Sequence, residues 1–359
     1  MTKLEELVRI HCPKGSKYVL LETVCQISKG VQFNKSAMND IGTYPVINGG
    51  ITASGYIEQY NQEENTITIS QGGASAGYVN WIETKFWAGA HCYVLKPSDK
   101  VLNRYLFHFV KSKEQKLQEC QYGAGIPALA KSTVASLQIP LPPLAVQQEI
   151  VRILDSFTEL TAELTAELTA RRKQYEHYRD ELLTFGDNVP KATLGEICDF
   201  KYGKGNNIPN ETGEYPVYGC NGIVSTTNVF NSEDAPIIGH IGSAGIVNWG
   251  AGKHYVTYNG TICKANPEKV LSKYAYHLLC SLHLERFVKG SQPFLSYGDF
   301  SKEIVSVPTL AEQQRVITLL DHFDTICNDL VSGLPAEITA RQKQYEYYRD
   351  KLLTFKELE

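Results

Sequence analysis

The sequence predicts an α+β chain in which two mixed α/β units alternate with two long helical regions, and three observations lead there. The segment Ala170 to Phe185, ARRKQYEHYRDELLTF, returns as Ala340 to Phe355, ARQKQYEYYRDKLLTF, with 13 of 16 positions identical at an offset of 170 residues. Each copy closes a helical pattern that opens after a proline-rich turn, at Leu141-Pro142-Pro143-Leu144 and at Pro308-Thr309-Leu310. The stretches ahead of each helical region are rich in glycine and in short β-branched runs. A repeat of this size sets the architecture and is read first.

In chain order, Thr2 to His11 predicts a short helix, with Thr2 and Glu5 at capping-box spacing. Asn65 to Gln71 and His91 to Leu95 carry the β-branched and aromatic residues of strands. Val101 to Gln118 has a helical period, with Leu102, Leu106 and Phe109 on one face. The second unit follows the same plan with little identity. Ser75-Ala76-Gly77-Tyr78-Val79-Asn80-Trp81 matches Ser243-Ala244-Gly245-Ile246-Val247-Asn248-Trp249 in six of seven positions. Tyr44-Pro45-Val46 matches Tyr215-Pro216-Val217, and Gly125-Ile126-Pro127-Ala128-Leu129 parallels Ser291-Gln292-Pro293-Phe294-Leu295. Such matches fit either duplicated recognition modules or shared turns and core packing.

The helical regions have apolar residues at Ile153, Leu154, Phe157, Leu160, Leu164, Leu168, Tyr175, Tyr178, Leu182 and Leu183, in steps of three and four that suit a coiled-coil seam. Glu159 to Ala170 is Glu-Leu-Thr-Ala three times over, and its steps of four form a local stutter. Val146 to Phe185 would reach about 60 Å as a continuous helix. In the second region, Ser332-Gly333-Leu334-Pro335 should divide the helix in two.

Composition narrows the function. Net charge is −4, but it is unevenly placed. Residues 1–140 hold 14 Lys and Arg against 11 Asp and Glu, net +3, and residues 187–306 hold 10 against 11, net −1. The helical segments 141–186 (5 against 8) and 307–359 (6 against 9) are each net −3. DNA affinity would therefore be modest without a basic partner, since phosphate neutralisation supplies most of it. No apolar run approaches the roughly 18 residues of a membrane helix, and the start lacks the apolar core of a signal peptide. Nine cysteines without a Cys-x-x-Cys pair predict reduced thiols and a cytoplasmic protein. No catalytic constellation is found. Gly72 to Gly77 lacks the Gly-Lys-Ser/Thr of a phosphate loop, the histidines lack metal-ligand spacing, and Asn266-Pro267-Glu268 is not an amino-methyltransferase motif. Glu163 and Glu167 read as a solvated helix face. The expectation is a non-catalytic binder or scaffold with no cofactor and no metal of its own.

Three features together resemble the specificity subunit of type I restriction–modification enzymes over nearly the whole chain. They are Pro140-Leu141-Pro142-Pro143-Leu144 with Gln147-Gln148-Glu149-Ile150, the Glu-Leu-Thr-Ala repeats, and both Lys-Gln-Tyr-Glu-x-Tyr-Arg-Asp-x-Leu-Leu segments. One departure is Val146-Gln147-Gln148 in the first copy, where the second has Glu312-Gln313-Gln314. The resemblance implies an N-terminal arm (1–17), a first target-recognition domain (18–143) and a central helical region (144–186). A second recognition domain (187–308) and a C-terminal helical region (309–359) complete the chain. It further implies helices paired as an antiparallel coiled coil, a pseudo-two-fold particle, and one half of an asymmetric bipartite double-stranded DNA target read by each domain. Two methyltransferase subunits using S-adenosylmethionine and ATP- and Mg-dependent restriction subunits would be the partners. A structural adaptor that spaces two protein-binding modules is the alternative.

Base-reading residues should be polar and sit on glycine-flanked segments. In the first unit these are Lys29, Gln32, Lys35, Gln71, Ser75, Asn80 and Lys131. In the second they are Lys201, Lys204, Asn206, Asn207, His240, Ser243, Lys253, His254 and Gln292, with Lys204 the leading candidate. For partner binding, Tyr175, Tyr178, Arg179, Tyr345, Tyr348 and Arg349 are the candidates, because Tyr and Arg are enriched at interfaces. The same tyrosines could equally fill the seam between helices.

Overall fold

A computed structural model describes residues 2–123, 125–205, 212–328 and 333–358. The chain opens with helix α1 (Lys3–His11), followed by strands β1 (Tyr18–Leu20), β2 (Cys25–Lys29), β3 (Tyr44–Ile47), β4 (Tyr56–Ile57), β5 (Thr66–Ser70), β6 (Val79–Ile82), β7 (Trp87–Ala88) and β8 (Cys92–Pro97). Helices α2 (Asn103–Ser112), α3 (Glu114–Glu119) and α4 (Lys131–Ala135) and strand β9 (Gln138–Pro140) lead into the 39-residue helix α5 (Leu144–Leu182). Beyond it come β10 (Lys191–Thr193), α6 (Leu194–Ile197), β11 (Cys198–Tyr202), β12 (Tyr215–Gly219), β13 (Gly222–Thr227), β14 (Ser232–Gly239), β15 (Val247–Val256) and β16 (Gly260–Ala265). Helices α7 (Ser272–Ser281) and α8 (Tyr297–Phe300), strand β17 (Ile304–Ser306) and helices α9 (Leu310–Asn328) and α10 (Leu334–Leu352) complete it.

The α+β reading, the long helix and the interruption before Leu334 all appear in the structure. The capping box of α1 is also present, with Thr2 and Glu5 each bonding the other's backbone N–H. The chain forms two compact units that cut across its linear order. Unit 1 is Met1–Glu163 with Ile338–Glu359, and unit 2 is Leu164–Glu337. Each unit therefore takes one half of α5, and the last helix completes the unit built by the first residues.

In unit 1, β2-β8-β5-β6 form an antiparallel sheet, and β4-β3-β7 form a second sheet whose β3–β7 pair is parallel. Ile67 and Ile69 on central β5 are fully buried in a core with Leu95, Tyr105, Leu106, Ile150, Leu154 and Leu353. Unit 2 repeats this with one change. Ten-residue β15 runs unbroken where unit 1 has β6, a turn and β7, so the two sheets fuse into β11-β16-β14-β15-β12-β13. Its core joins Leu194, Ile238, Tyr274, Leu278 and Phe300 to Leu183, Val316 and Leu320 from the helices.

Helix packing inside unit 1 is antiparallel. Phe157 stacks on Tyr348 at 5.4 Å, while Ile150 shares a cavity with Leu352, so the pairing descends one helix as it climbs the other. Leu160, Leu164 and Leu168 of the tetrapeptide repeat are half-buried, and Glu159, Glu163 and Glu167 are exposed. The departure at Val146 also has a physical reason. Val146 is buried in the unit 1 core with Leu4 of α1, whereas Glu312 at the matching position faces outward and pairs with Arg315 at 2.7 Å.

Candidate nucleic-acid interface

Each unit is fastened to its helices by the same two devices. The first is a glutamine in the opening turn of the helix. Gln147 Oε1 accepts from the Leu102 N–H at 2.8 Å, and its Nε2 donates to the carbonyls of Lys100 and Pro142 at 3.1 and 2.8 Å. Gln313 does the same with Leu271, Lys269 and Pro308, each at 2.9 Å. Both glutamines are fully buried, so the bonds replace water that neither end could reach.

The second device is a buried histidine clamp. In unit 1, His108 Nε2 lies 2.8 Å from Asp155 and Nδ1 lies 2.9 Å from the Tyr345 hydroxyl. The carboxylate can only accept, so Nε2 carries the proton and Nδ1 receives the tyrosine O–H. Arg104 bonds the same carboxylate oxygen at 2.8 Å and lies 4.7 Å over the Trp81 ring. Burial pushes the His108 pKa down despite the neighbouring carboxylate. Burial pushes Asp155 up, but the bonds from His108 and Arg104 outweigh it and leave it below its usual value. In unit 2, His277 bonds Asp321 at 2.9 Å and Tyr175 at 3.3 Å, with Lys273 3.2 Å from Asp321 and 4.6 Å over Trp249. The matched tryptophans thus serve packing. The matched glycines do too: Gly77 and Gly245 adopt φ of +87° and +89°, and a Cβ there would sit 2.8 Å from Gln118 N and 2.9 Å from Glu285 N.

Neither clamp histidine has metal-ligand spacing or a glycine-flanked setting, so neither stands out as a site residue in the sequence. The signal was present as Val101-Leu102-x-Arg104-Tyr105-x-x-His108 and Val270-Leu271-x-Lys273-Tyr274-x-x-His277. The clamps also correct part of the partner-surface expectation. Tyr175 (7% exposed) and Arg179 (6%) are buried in unit 2, and Tyr345 is inside the unit 1 clamp, so none of the three presents a free face. Arg349 is largely covered and bonds Asp350 at 3.0 Å. Tyr178 and Tyr348 remain 38% and 39% exposed, stacked on Phe323 and Phe157.

The DNA candidates fall into groups. At one end of the first sheet, Lys29 closes β2 opposite Tyr93, and Gln71 follows β5, its backbone bonded to His91 and Leu129. Ser75 lies in the adjoining turn, which Gly73 ties to Pro127, and exposed Lys131 opens α4. Exposed Gln32 and Lys35 follow β2 on a loop held by Val31, and half-buried Asn80 pairs with Thr68 from the edge strand β6. In unit 2 the corresponding sheet end collects Lys204, His240, Ser243 and Gln292. Lys204 is exposed and its N–H bonds Val256, while Gly242 ties the Ser243 turn to Pro293.

Lys201 points elsewhere, into a cleft of ≈ 760 Å³ with Asp199, Glu233 and Lys264. Lys253, paired with Glu233 at the opposite end of β14, lies 4.8 Å over Phe230 of that cleft. His254 is a correction. It is fully buried against Gly250, its Nδ1 bonds Gly252, and burial lowers its pKa, so it supports β15 and cannot touch a base edge. Asn206 and Asn207 lie outside the described residues. All nine cysteines are free, six of them buried. Among the described residues no helix is long and apolar enough to cross a membrane, and no cluster of three metal-ligating side chains occurs.

A family model described as the type I restriction modification DNA specificity domain matches twice, over residues 13–171 and 187–340. The chain belongs to that family. It is 32% identical to the putative type I restriction enzyme specificity subunit S.HindORF215P of Haemophilus influenzae, covering 89% of this chain and 90% of the relative. It is 31% identical to the type I restriction enzyme EcoR124I/EcoR124II specificity subunit of Escherichia coli, covering 88% of each. Its fold is similar to the crystal structure of a type I restriction-modification S subunit from M. genitalium. That match has a TM-score of 0.65 at 22% identity and covers 94% of this chain and 96% of the other. The specificity family thus accounts for a chain with two copies of one module, each fastened to its helices by the same glutamine and histidine contacts.

Proposed function

We propose that this specificity-family chain directs a type I restriction–modification complex to an asymmetric, two-part DNA target, each unit reading one half. The observation that carries this reading is the double match to the DNA specificity domain on two units that share a backbone plan but differ at the polar sheet ends. Different side chains on one frame call for different half-sites. The chain itself is non-catalytic in this reading. Adenine methylation with S-adenosylmethionine and ATP- and Mg-dependent cleavage belong to cytoplasmic partner subunits, with two methyltransferase subunits expected from the internal repeat of the chain. Of the six partner-binding candidates, Tyr178 and Tyr348 keep an exposed face for such a partner.

The helices act as a ruler between the half-sites. One Glu-Leu-Thr-Ala unit adds about 6 Å of helix, against about 3.4 Å per base pair. Deleting one unit should shorten the preferred spacer by about one to two base pairs. The function is tested by co-expressing the chain with a type I methyltransferase subunit of the same subfamily and mapping adenine methylation across a genome. A single asymmetric two-part motif with a fixed gap is expected. A stable complex without any motif would favour a structural adaptor.

A further inference from the structure

The two units carry one hydrogen-bond frame with different side chains on it. Gln71 N bonds the carbonyl of His91, and Leu129 N bonds that of Gln71; His240 N bonds the carbonyl of Asn259, and Leu295 N bonds that of His240. Gly73 N bonds Pro127 as Gly242 N bonds Pro293, and Tyr122 pairs with Ala128 as Lys289 pairs with Phe294. Gly30 N bonds the carbonyl of Cys92 as Gly203 N bonds that of Gly260. Position by position, this matches Lys29 to Tyr202, Gln71 to His240, His91 to Asn259, Ile126 to Gln292 and Ala128 to Phe294. Backbone is held constant and surface chemistry is changed, as two readers of different sequences require.

In unit 2 the exchange creates an aromatic cluster. The His240 ring lies 4.1 Å from Tyr202, 4.7 Å from Phe294 and 5.5 Å from Tyr258, and Tyr297 is 5.1 Å from Tyr202. Tyr258, Phe294 and Tyr297 are exposed, and Lys204 is exposed on the adjoining segment, where Tyr258 N bonds Gly205. His240 is 1% exposed, and its Nδ1 lies 2.7 Å from the Leu295 carbonyl. A carbonyl only accepts, so Nδ1 carries a proton, and in the neutral ring Nε2 is left to accept. That Nε2 is buried with no hydrogen-bond partner among the described residues. His254 Nε2 is likewise unpartnered but lies behind Gly250. The His240 nitrogen instead lies beneath exposed rings at the sheet end that differs between the units, which gives it the form of an unfilled recognition contact.

We propose that this cluster selects one base pair of the second half-site in duplex DNA. His240 Nε2 takes a hydrogen from an exocyclic amine, which adenine and cytosine present and guanine and thymine do not present in the major groove. Phe294 and Tyr258, the exposed rings packed on the imidazole, turn aside to admit the base edge and supply its apolar contact. Lys204 holds the neighbouring phosphate. In unit 1, Gln71, His91, Ile126 and Ala128 occupy the same places and read a different base.

This inference rests on the proposed function, and the test separates the two. The complex with methyltransferase is prepared with the wild-type chain, Phe294→Ala and His240→Gln, the last two importing the residues of unit 1. Thermal melting and size-exclusion confirm assembly, and genome-wide adenine methylation is mapped for each. One position of the second half-site should relax, with methylation of sites altered there rising about tenfold in either variant, while the first half-site stays unchanged. If the wild-type complex methylates no two-part motif, the function itself fails. If it methylates one and both assembled variants keep the second half-site at full stringency, or relax the first half instead, the assignment of the cluster is overturned. If one variant does not assemble, the other decides alone.

Discussion

The Tyr345 hydroxyl lies 2.9 Å from Nδ1 of His108, a residue 237 positions earlier, and so joins the second sequence repeat to the first unit. The first repeat makes the matching bond to the second unit through Tyr175 and His277, across 102 positions. Tyr345→Phe would leave the buried imidazole nitrogen without a donor. A loss of about 1–3 kcal/mol is expected, read as a lowered denaturant midpoint, and Tyr175→Phe should act alike. A variant as stable as wild type would show that the bond contributes nothing net.

Stability should fall on mild acidification. His108 is held below its ordinary value of 6.5 by burial, among Asp155, Arg104, Tyr345 and Arg349, so the unfolded chain takes up a proton first as pH drops through that value. Asp155 and Asp321 act in the same direction further down, since both are held below 3.8. Their contribution is present above that pH and lost as the folded groups protonate. Melting temperature should therefore decline from pH 7 toward pH 5, and His108→Gln should flatten the upper part of that decline. A flat profile in the wild-type chain would contradict the neutral tautomer assigned here.

The opening glutamines should be sensitive to truncation. Gln147→Ala removes three hydrogen bonds and leaves the Leu102 N–H and two carbonyls unsatisfied. A cost of roughly 2–4 kcal/mol follows for buried groups of this kind. Gln148→Ala, on the neighbouring exposed residue, is the control and should change the midpoint little. Equal effects from the two would place the motif's importance outside the fold.

Gly77→Ala and Gly245→Ala should each cost about 1–3 kcal/mol, because both positions combine positive φ with backbone within 2.9 Å of the added carbon. Gly73→Ala has positive φ and open space around it, so it isolates the dihedral contribution. If Gly77→Ala proves no worse than Gly73→Ala, close approach to α3 is not a constraint.

Much of this was readable from residues. The repeat and its 3.6-residue period specified the helices, Gly333 and Pro335 marked their division, and Thr2 with Glu5 specified the first cap. What sequence reasoning could not supply was which repeat docks on which unit, since that depends on contacts between residues hundreds of positions apart. Tyr175 and Arg179 look like interface anchors until their burial is known. His240 and His254 look alike as flanking polar residues, yet one lies beneath a surface cluster and the other behind Gly250. Polarity in a glycine-flanked segment identifies a turn, and only the packing tells which face of it meets solvent.

The order in which the chain leaves the ribosome favours one unit over the other. Unit 2 is continuous from Leu164 to Glu337, so all of its core exists before the second segment of unit 1 is synthesised. Unit 1 is started earlier but at that point still lacks Tyr345, Leu352, Leu353 and Phe355, and Ser16 has yet to meet its bridge partner Glu357. Its N-terminal portion must wait, incomplete, through synthesis of everything between, on the order of ten seconds or more at 5–20 residues per second. The second unit can therefore complete its fold first, and the interval before α10 emerges is when the exposed apolar surface of unit 1 most needs a chaperone.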